Sequence, residues 1–258
     1  MAVGWEENEN DDYQAYVSAD AQKLGINLFV YATVQRAWAK KTANEMKFVD
    51  EEDYSIDKLF LAQVVYDGEW KTRHAGLSVL LQTFNLKTEI PVKFGLRELR
   101  LSDPQIFDVP LLYITGHENF NLNKAEIERL RQYLLNGGFL FAEACCGRKG
   151  FDLSFRKHIK QILPEYPLKV IPQDNAIFQT PNRIQYVNVT PALAAQIKTS
   201  TTKPILLGIE IDGQYAVVYS PFGMAGGWEM SQSPYAHGYD TVSSLRLGQD
   251  ILMYAITH

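Results

Sequence analysis

Three short apolar runs in this chain each end in a polar turn that contains glycine. The runs cover residues 59–66, 111–115 and 139–144, and stretches with helical spacing of apolar residues lie between them. Apolar runs that alternate with amphipathic helices are typical of parallel strands buried in an α/β sheet. The carboxyl ends of neighbouring parallel strands face one crevice, where ligands bind. The sequence therefore predicts that the polar residues after the three runs meet at one site.

Other patterns extend this prediction to the rest of the chain. Asn123 and Glu126 occupy capping-box positions at the start of a helix that Gly137-Gly138 should end. Asp212-Gly213 lies between two apolar runs and indicates a β-hairpin. The remaining predicted elements are helices over 73–85, 151–163 and 245–256, a strand over 92–99, and a partly irregular excursion over 165–204. This order favours an α/β fold with a doubly wound, mostly parallel sheet of flavodoxin or class I glutamine amidotransferase-like type.

Composition excludes several classes of partner. The 258 residues carry a net charge of −5, and the basic residues are dispersed, so nucleic acid is not an expected partner. No apolar run approaches the length that spans a bilayer, so we expect no membrane contact by this segment itself. The two cysteines are adjacent, which excludes a disulfide framework and a four-cysteine zinc site. The compartment is left undetermined.

The two ends of the chain resemble each other. Gly4-Trp5-Glu6 recurs as Gly227-Trp228-Glu229, and three later landmarks follow at the same offset of 223 positions. We interpret residues 1–57 as an extension that resembles the tail of a preceding repeat, followed by a linker, and residues 58–258 as the main domain. The interpretation predicts a helix over 20–36 similar to that over 245–256; convergent amphipathic patterning is the alternative.

Cys145 and Cys146 follow the run 139–144, where backbone amides could stabilise a thiolate and an oxyanion. A nucleophile elbow has small residues two positions before and two positions after the nucleophile. Cys145 has Glu143 before it, and Cys146 has Arg148 after it, so neither meets both demands. The sequence is therefore compatible both with a catalytic cysteine and with an inert, buried thiol.

His117 follows a tight glycine turn and is a candidate base or ligand-orienting group, although it could also bond only to backbone.

A metal site from His117, Glu118 and Glu143 lacks any supporting motif, so we predict no metal. Dinucleotide and Walker loops are absent, so no cofactor is predicted. His237 and Tyr239 could belong to a lid. The predicted ligand-binding residues are Asp67, Gly68, Trp70, Gly116, His117, Glu118, Glu143, Gly147, Arg148, Trp228 and Glu229.

Several sequence blocks carry a family resemblance. They are Tyr66-Asp67-Gly68-x-Trp70 and the segments 110–117, 133–140, 144–147 and 151–156. From about residue 59 to residue 258 the chain resembles the bacterial domain of unknown function 4159 family. The resemblance implies a fold like that of the class I glutamine amidotransferase superfamily, with the catalytic cysteine of that superfamily falling on Cys145 or Cys146. It implies no established activity, and it implies that the parent protein is often larger and membrane-associated or exported.

Two functions are compatible with these observations. The first is a non-catalytic module that binds an unknown small molecule or neighbouring domains of the same polypeptide, and it is the one that the imperfect elbow and the repeat-like extension favour. The alternative is a cysteine-dependent hydrolase or amidotransferase that uses Cys145 or Cys146 as nucleophile, with His117 or His237 as base.

Overall fold

The computed structural model describes residues 20–28, 59–93, 96–230 and 233–258. The chain divides into two compact units, Met1–Asp50 and Glu51–His258. In the first unit residues 20–28 are helical (α1), inside the predicted helix over 20–36. The rest of that helix, Gly4-Trp5-Glu6 and the proposed linker lie outside the described residues, so the repeat remains a prediction. Within the described part of the chain, no helix combines the length and apolarity needed to cross a bilayer.

A seven-stranded, mostly parallel sheet forms the centre of the second unit. In space the strands run β2-β1-β3-β4-β9-β8-β5; the first five are parallel, and β8 is antiparallel to both of its neighbours. A separate two-stranded ladder joins β6 and β7. The strands are β1 (Leu61–Val65), β2 (Arg97–Arg100), β3 (Leu111–Gly116), β4 (Phe139–Ala144), β5 (Lys169–Val170), β6 (Val187–Asn188), β7 (Thr201–Thr202), β8 (Leu207–Ile211) and β9 (Gln214–Ser220).

Helices cover both faces of the sheet. They are α2 (Gly76–Thr88), α3 (Lys124–Leu135), α4 (Lys149–Ile162), α5 (Pro191–Ile197), α6 (Ala225–Trp228) and α7 (Thr241–Thr257). Side chains of α2 and α7 share a buried cluster with Leu111 and Tyr113, while those of α3 and α4 share a second cluster with Leu112 and Ile114. Successive residues of β3 thus enter opposite layers, as the two-residue period of a strand requires. The predicted mixed α/β fold with a mostly parallel sheet is confirmed.

The local signals in the sequence differ in how well they match the structure. The capping box of Asn123 and Glu126 is formed, and Asp212 and Gly213 turn the β8–β9 hairpin with φ of 52° and 84°. The predicted strand over 92–99 is wrong in extent, because the strand begins only at Arg97. Val92 forms a single bridge with Leu59, and Arg97 pairs with Ala62. Between these two pairs the sequence has two more residues on the β2 side than on the β1 side.

A fully buried carboxylate joins the sheet to a distant segment. Glu143 in β4 accepts hydrogen bonds from the backbone N–H groups of Met224 and Ala225, and from the hydroxyls of Tyr113 (2.9 Å) and Thr115 (3.2 Å). Burial raises the pKa of Glu143, and these hydrogen bonds oppose that rise. The carboxylate therefore fixes the segment before α6 against the carboxyl end of β4.

We expect Glu143→Gln to lower the free energy of unfolding by about 2–4 kcal/mol, because the amide nitrogen cannot accept hydrogen bonds and leaves buried donors unpaired. Urea denaturation measures this change. The control is Glu128→Gln on the exposed side of α3, which should change stability by less than about 0.5 kcal/mol. Equal stability of the two variants would contradict the role given to Glu143.

Candidate active site

The carboxyl ends of β1, β3 and β4 lie side by side and bring residues from three loops together. These strands are neighbours in the sheet and run parallel. A ring nitrogen of His117 and the sulfurs of Cys145 and Cys146 all lie within 4.8 Å of one another. His117 follows β3 and the cysteines follow β4, so the sheet topology accounts for their meeting.

Cys146 has an unusual backbone conformation. It lies in the short 3₁₀ turn Cys145–Gly147 with φ 56° and ψ 16°, in the left-handed region. For a residue other than glycine this conformation costs roughly 1–2 kcal/mol. A sharp turn directly after a strand, which presents the side chain at the sheet edge, is the geometry of a nucleophile elbow.

The small residue that packs against the Cys146 turn is distant from it in the sequence. The close approach to Cys146 is made by Gly223, from the loop after β9. A Cβ atom at Gly223 would lie 2.6 Å from the Cys146 nitrogen, and one at Gly147 would lie 2.6 Å from the His237 carbonyl oxygen. Arg148, two positions after Cys146, is exposed and does not crowd the turn.

The two cysteines differ in exposure. Cys145 is completely buried, whereas Cys146 is half-buried. Their sulfurs are 3.8 Å apart. Only Cys146 is therefore open to a molecule that approaches the sheet edge, and Cys145 lies behind it.

His117 connects Cys146 to a carboxylate. Its Nδ1 lies 3.2 Å from Oε2 of Glu69, in the loop after β1. Its other ring nitrogen, Nε2, is buried. The pKa of His117 is raised, first by its interaction with Cys146 and also by Glu69. Cys146, His117 and Glu69 thus follow one another as a thiol, an imidazole and a carboxylate do in a catalytic triad.

A cation borders the same sulfur. Nη2 of Arg73 lies 4.0 Å from the Cys146 sulfur, and Nη1 lies 3.3 Å from Oε2 of Glu229. The other oxygen of Glu229 accepts a hydrogen bond of 3.1 Å from the Ala75 N–H. Glu229 therefore holds Arg73 in place next to Cys146.

These neighbours separate the proton affinities of the two thiols. Hydrogen bonding with Cys145, then with His117 and with Arg73, lowers the pKa of Cys146 to about 4. The pKa of Cys145 is raised, by the same contact with Cys146 and by burial. Of the two thiols, Cys146 is therefore the one whose surroundings favour the thiolate.

Several predicted ligand-binding residues have other roles. The Asp67 side chain is 89% exposed and pairs with Arg100 at 3.0 Å. Trp70 is partly buried against the core, and its carbonyl oxygen accepts a hydrogen bond from Gln63. Glu118 is exposed at the rim. Trp228 is fully buried, with its N–H donated to a backbone oxygen, so it cannot act as an exposed aromatic shelf.

Two of the predicted glycines, and the two residues considered for a lid, also have structural roles. Gly68 has φ +153°, and a Cβ at Gly116 would overlap the Tyr66 hydroxyl. His237 donates its backbone N–H to the Cys146 carbonyl, 3.0 Å away. Tyr239 is fully buried, so it is not part of a lid.

Of the carboxylates considered from the sequence as metal ligands, Glu143 is committed to its own hydrogen-bond donors and Glu118 is exposed. Among the residues that the structure describes, His117, Cys145 and Cys146 are the group close enough to hold a metal ion. Two sulfurs and an imidazole nitrogen are donors that suit Zn²⁺.

Residues 60–256 match the model of the family described as Domain of unknown function (DUF4159). The chain belongs to that family, as its sequence blocks predicted. A comparison with curated proteins gives no match.

Two solved structures resemble the chain distantly. A ThuA-like protein from Bacteroides uniformis has a TM-score of 0.39 and 11% identity, with 81% of this chain and 96% of that chain covered. The mmIFT52 N-terminal domain has a TM-score of 0.32 and 18% identity, with 59% of this chain and 69% of that chain covered.

The lowered pKa predicts how the alkylation of Cys146 depends on pH. We expect iodoacetamide to label Cys146 at a nearly constant rate from pH 8.5 to 5.5, because the thiolate persists until the pH approaches about 4. An ordinary cysteine would lose reactivity below its pKa of about 8.5. Peptide mass spectrometry after timed labelling gives the rate at each cysteine.

His117→Asn should reduce the labelling rate at pH 6 by about tenfold or more, since it removes the imidazolium that stabilises the thiolate. His258→Asn, at the exposed C-terminal residue, is the control and should leave the rate unchanged. A rate that falls tenfold per pH unit below pH 8 in the unaltered protein would contradict the thiolate assignment.

Gly223→Ala should disturb the turn at Cys146, because the added methyl group overlaps the Cys146 backbone. We expect a loss of about 1–3 kcal/mol in the free energy of unfolding and slower alkylation of Cys146. Gly226→Ala is the matched control, since its Cβ would meet nothing closer than Arg73 at 3.9 Å. The same effect from both substitutions would show that close packing at Gly223 is not what shapes the turn.

Proposed function

We propose that this domain is a cysteine-dependent acyl-transfer enzyme, a hydrolase or amidotransferase that acts on an amide or ester, with Cys146 as nucleophile. The observation that carries the proposal is the left-handed conformation of Cys146 beside His117. Strain of this kind persists where the surrounding structure enforces it, and it concentrates at functional sites. The non-catalytic module favoured by the sequence does not explain it.

The first half of the reaction forms a thioester. The Cys146 thiolate attacks the carbonyl carbon of the substrate, so that a carbon–sulfur bond forms and the carbonyl oxygen becomes an oxyanion. Arg73, next to the sulfur, is positioned to stabilise that negative charge. Collapse of the intermediate breaks the carbon–nitrogen or carbon–oxygen bond, and His117 gives its proton to the leaving group.

The second half releases the acyl group. His117, now neutral, removes a proton from water or from an acceptor amine, which attacks the thioester carbon. The carbon–sulfur bond breaks and the Cys146 thiolate returns. Glu69 keeps Nδ1 of His117 protonated and stabilises the imidazolium. Because Glu69 is 62% exposed, its contribution should be smaller than that of a buried carboxylate.

The proposal includes a class I glutamine amidotransferase-like scaffold. In support of it, the reactive cysteine follows a central strand, and helices cover both faces of the sheet. A fold of this kind hosts many functions, so the activity is argued from the site and not from the scaffold.

The test uses p-nitrophenyl acetate as a small activated ester. We expect a burst of p-nitrophenolate, up to one per chain, followed by slower turnover, and an acetyl group on Cys146 in the mass spectrum. Cys146→Ser should abolish the burst, while Cys145→Ser should retain it. Glu69→Gln should slow turnover by roughly tenfold, since His117 loses its orienting partner.

If neither a burst nor acetylated Cys146 is found and iodoacetamide labels Cys146 only slowly, the enzyme proposal fails. The non-catalytic binding module would then be the better explanation of the site.

A further inference from the structure

We propose that Cys145 and Cys146 form a peroxide-responsive dithiol, in which a hydroperoxide oxidises Cys146 and Cys145 then closes a reversible disulfide with it. The inference rests on the reactive Cys146 thiolate of the proposed function, but it does not require acyl transfer. It adds an oxidative modification site to the sheet edge.

The position of the two sulfurs suits this chemistry. They lie 3.8 Å apart, so a movement of under about 2 Å brings them to the length of a disulfide. Cys146 is half-buried and can meet a small oxidant, whereas Cys145 is buried directly behind it. Redox-sensing cysteines are low-pKa, accessible thiols that lie next to a second, resolving cysteine. The pair has this asymmetry.

The groups around Cys146 can assist the first step. The thiolate attacks one oxygen of hydrogen peroxide and the O–O bond breaks; the sulfur is oxidised to a sulfenic acid and the peroxide is reduced. The leaving hydroxide takes the proton of the His117 imidazolium and becomes water. Arg73 lies 4.0 Å from the sulfur, within reach of a peroxide oxygen bound there.

The second step needs only Cys145. Its sulfur attacks the sulfur of the sulfenic acid, the S–O bond breaks, and the departing hydroxide leaves as water with the Cys145 proton. In total two thiols and one peroxide give one disulfide and two waters. Cys145 is completely buried behind Cys146, so this step should be slower than the first and the sulfenic acid should accumulate briefly.

Because Cys145 and Cys146 are neighbours in the sequence, a disulfide between them should be short-lived. The Cα atoms of neighbouring residues are about 3.8 Å apart, whereas disulfides usually join Cα atoms about 4.4–6.8 Å apart. The disulfide is therefore strained, and strained disulfides have more oxidising potentials and are reduced readily. This strain makes the pair unsuitable as a permanent structural disulfide, but it suits a reversible redox switch.

The experiment treats the whole chain with stoichiometric hydrogen peroxide, blocks free thiols with iodoacetamide and digests with trypsin. Both cysteines fall in the peptide over residues 132–148, and the chain has no others. We expect this peptide to lose two hydrogen atoms, to carry no alkyl group, and to recover both thiols after treatment with dithiothreitol.

Two variants separate the steps. Cys145→Ser should stop at the sulfenic acid, which dimedone traps on Cys146. Cys146→Ser should leave Cys145 oxidised at least about tenfold more slowly, since the remaining thiol is buried and protonated. Non-reducing electrophoresis should show a monomer.

The inference is overturned if peroxide converts Cys146 to sulfinic or sulfonic acid while Cys145 stays free, if disulfide-linked dimers form, or if both cysteines remain alkylable. Iodoacetamide labelling without peroxide keeps the two proposals apart. A Cys146 that labels rapidly but never bridges contradicts only the redox switch, whereas a Cys146 that bridges but gives no burst with p-nitrophenyl acetate contradicts only the acyl transfer.

Discussion

The hydrogen bonds of the buried Glu143 carboxylate hold the candidate site together. They fix the segment that begins at Gly223 against β4, because Glu143 lies in that strand two residues before Cys145. That segment supplies the glycine that packs on Cys146 and the Glu229 carboxylate that holds Arg73. A carboxylate without these donors would be costly inside the core, so the interaction requires the loop after β9 and the strand to fold as one unit.

Parts of the chain far apart in sequence provide different chemical functions at one sheet edge. The turn after β4 supplies the sulfurs, the loop after β3 supplies His117, and the loop after β1 supplies Glu69 and Arg73. The charges are arranged around one accessible thiol: a cation and an imidazole favour its ionised form, and two carboxylates keep those groups in position. The two proposed reactions, acyl transfer and peroxide reduction, would both begin from this thiolate, so both depend on the same electrostatic arrangement.

The sequence predicted the features that depend on local patterns. The strand Phe139–Ala144, the capping box at Asn123 and the Asp212-Gly213 hairpin were all readable, because backbone preferences and capping act over a few residues. Glu69 and Arg73 were missed, since nothing in their spacing marks a contact with the loops after β3 and β4. The elbow at Cys146 was missed because its small neighbour, Gly223, lies 77 positions away in the sequence.

The backbone of Cys146 also bears on how this position can vary among related sequences. Glycine adopts a φ of 56° without steric cost, so a glycine there would relieve the turn. The domain therefore trades some stability for a sulfur atom at that point, a compromise that is typical of residues kept for their chemistry. A relative with glycine at this position would lose the strain of the turn together with the thiol.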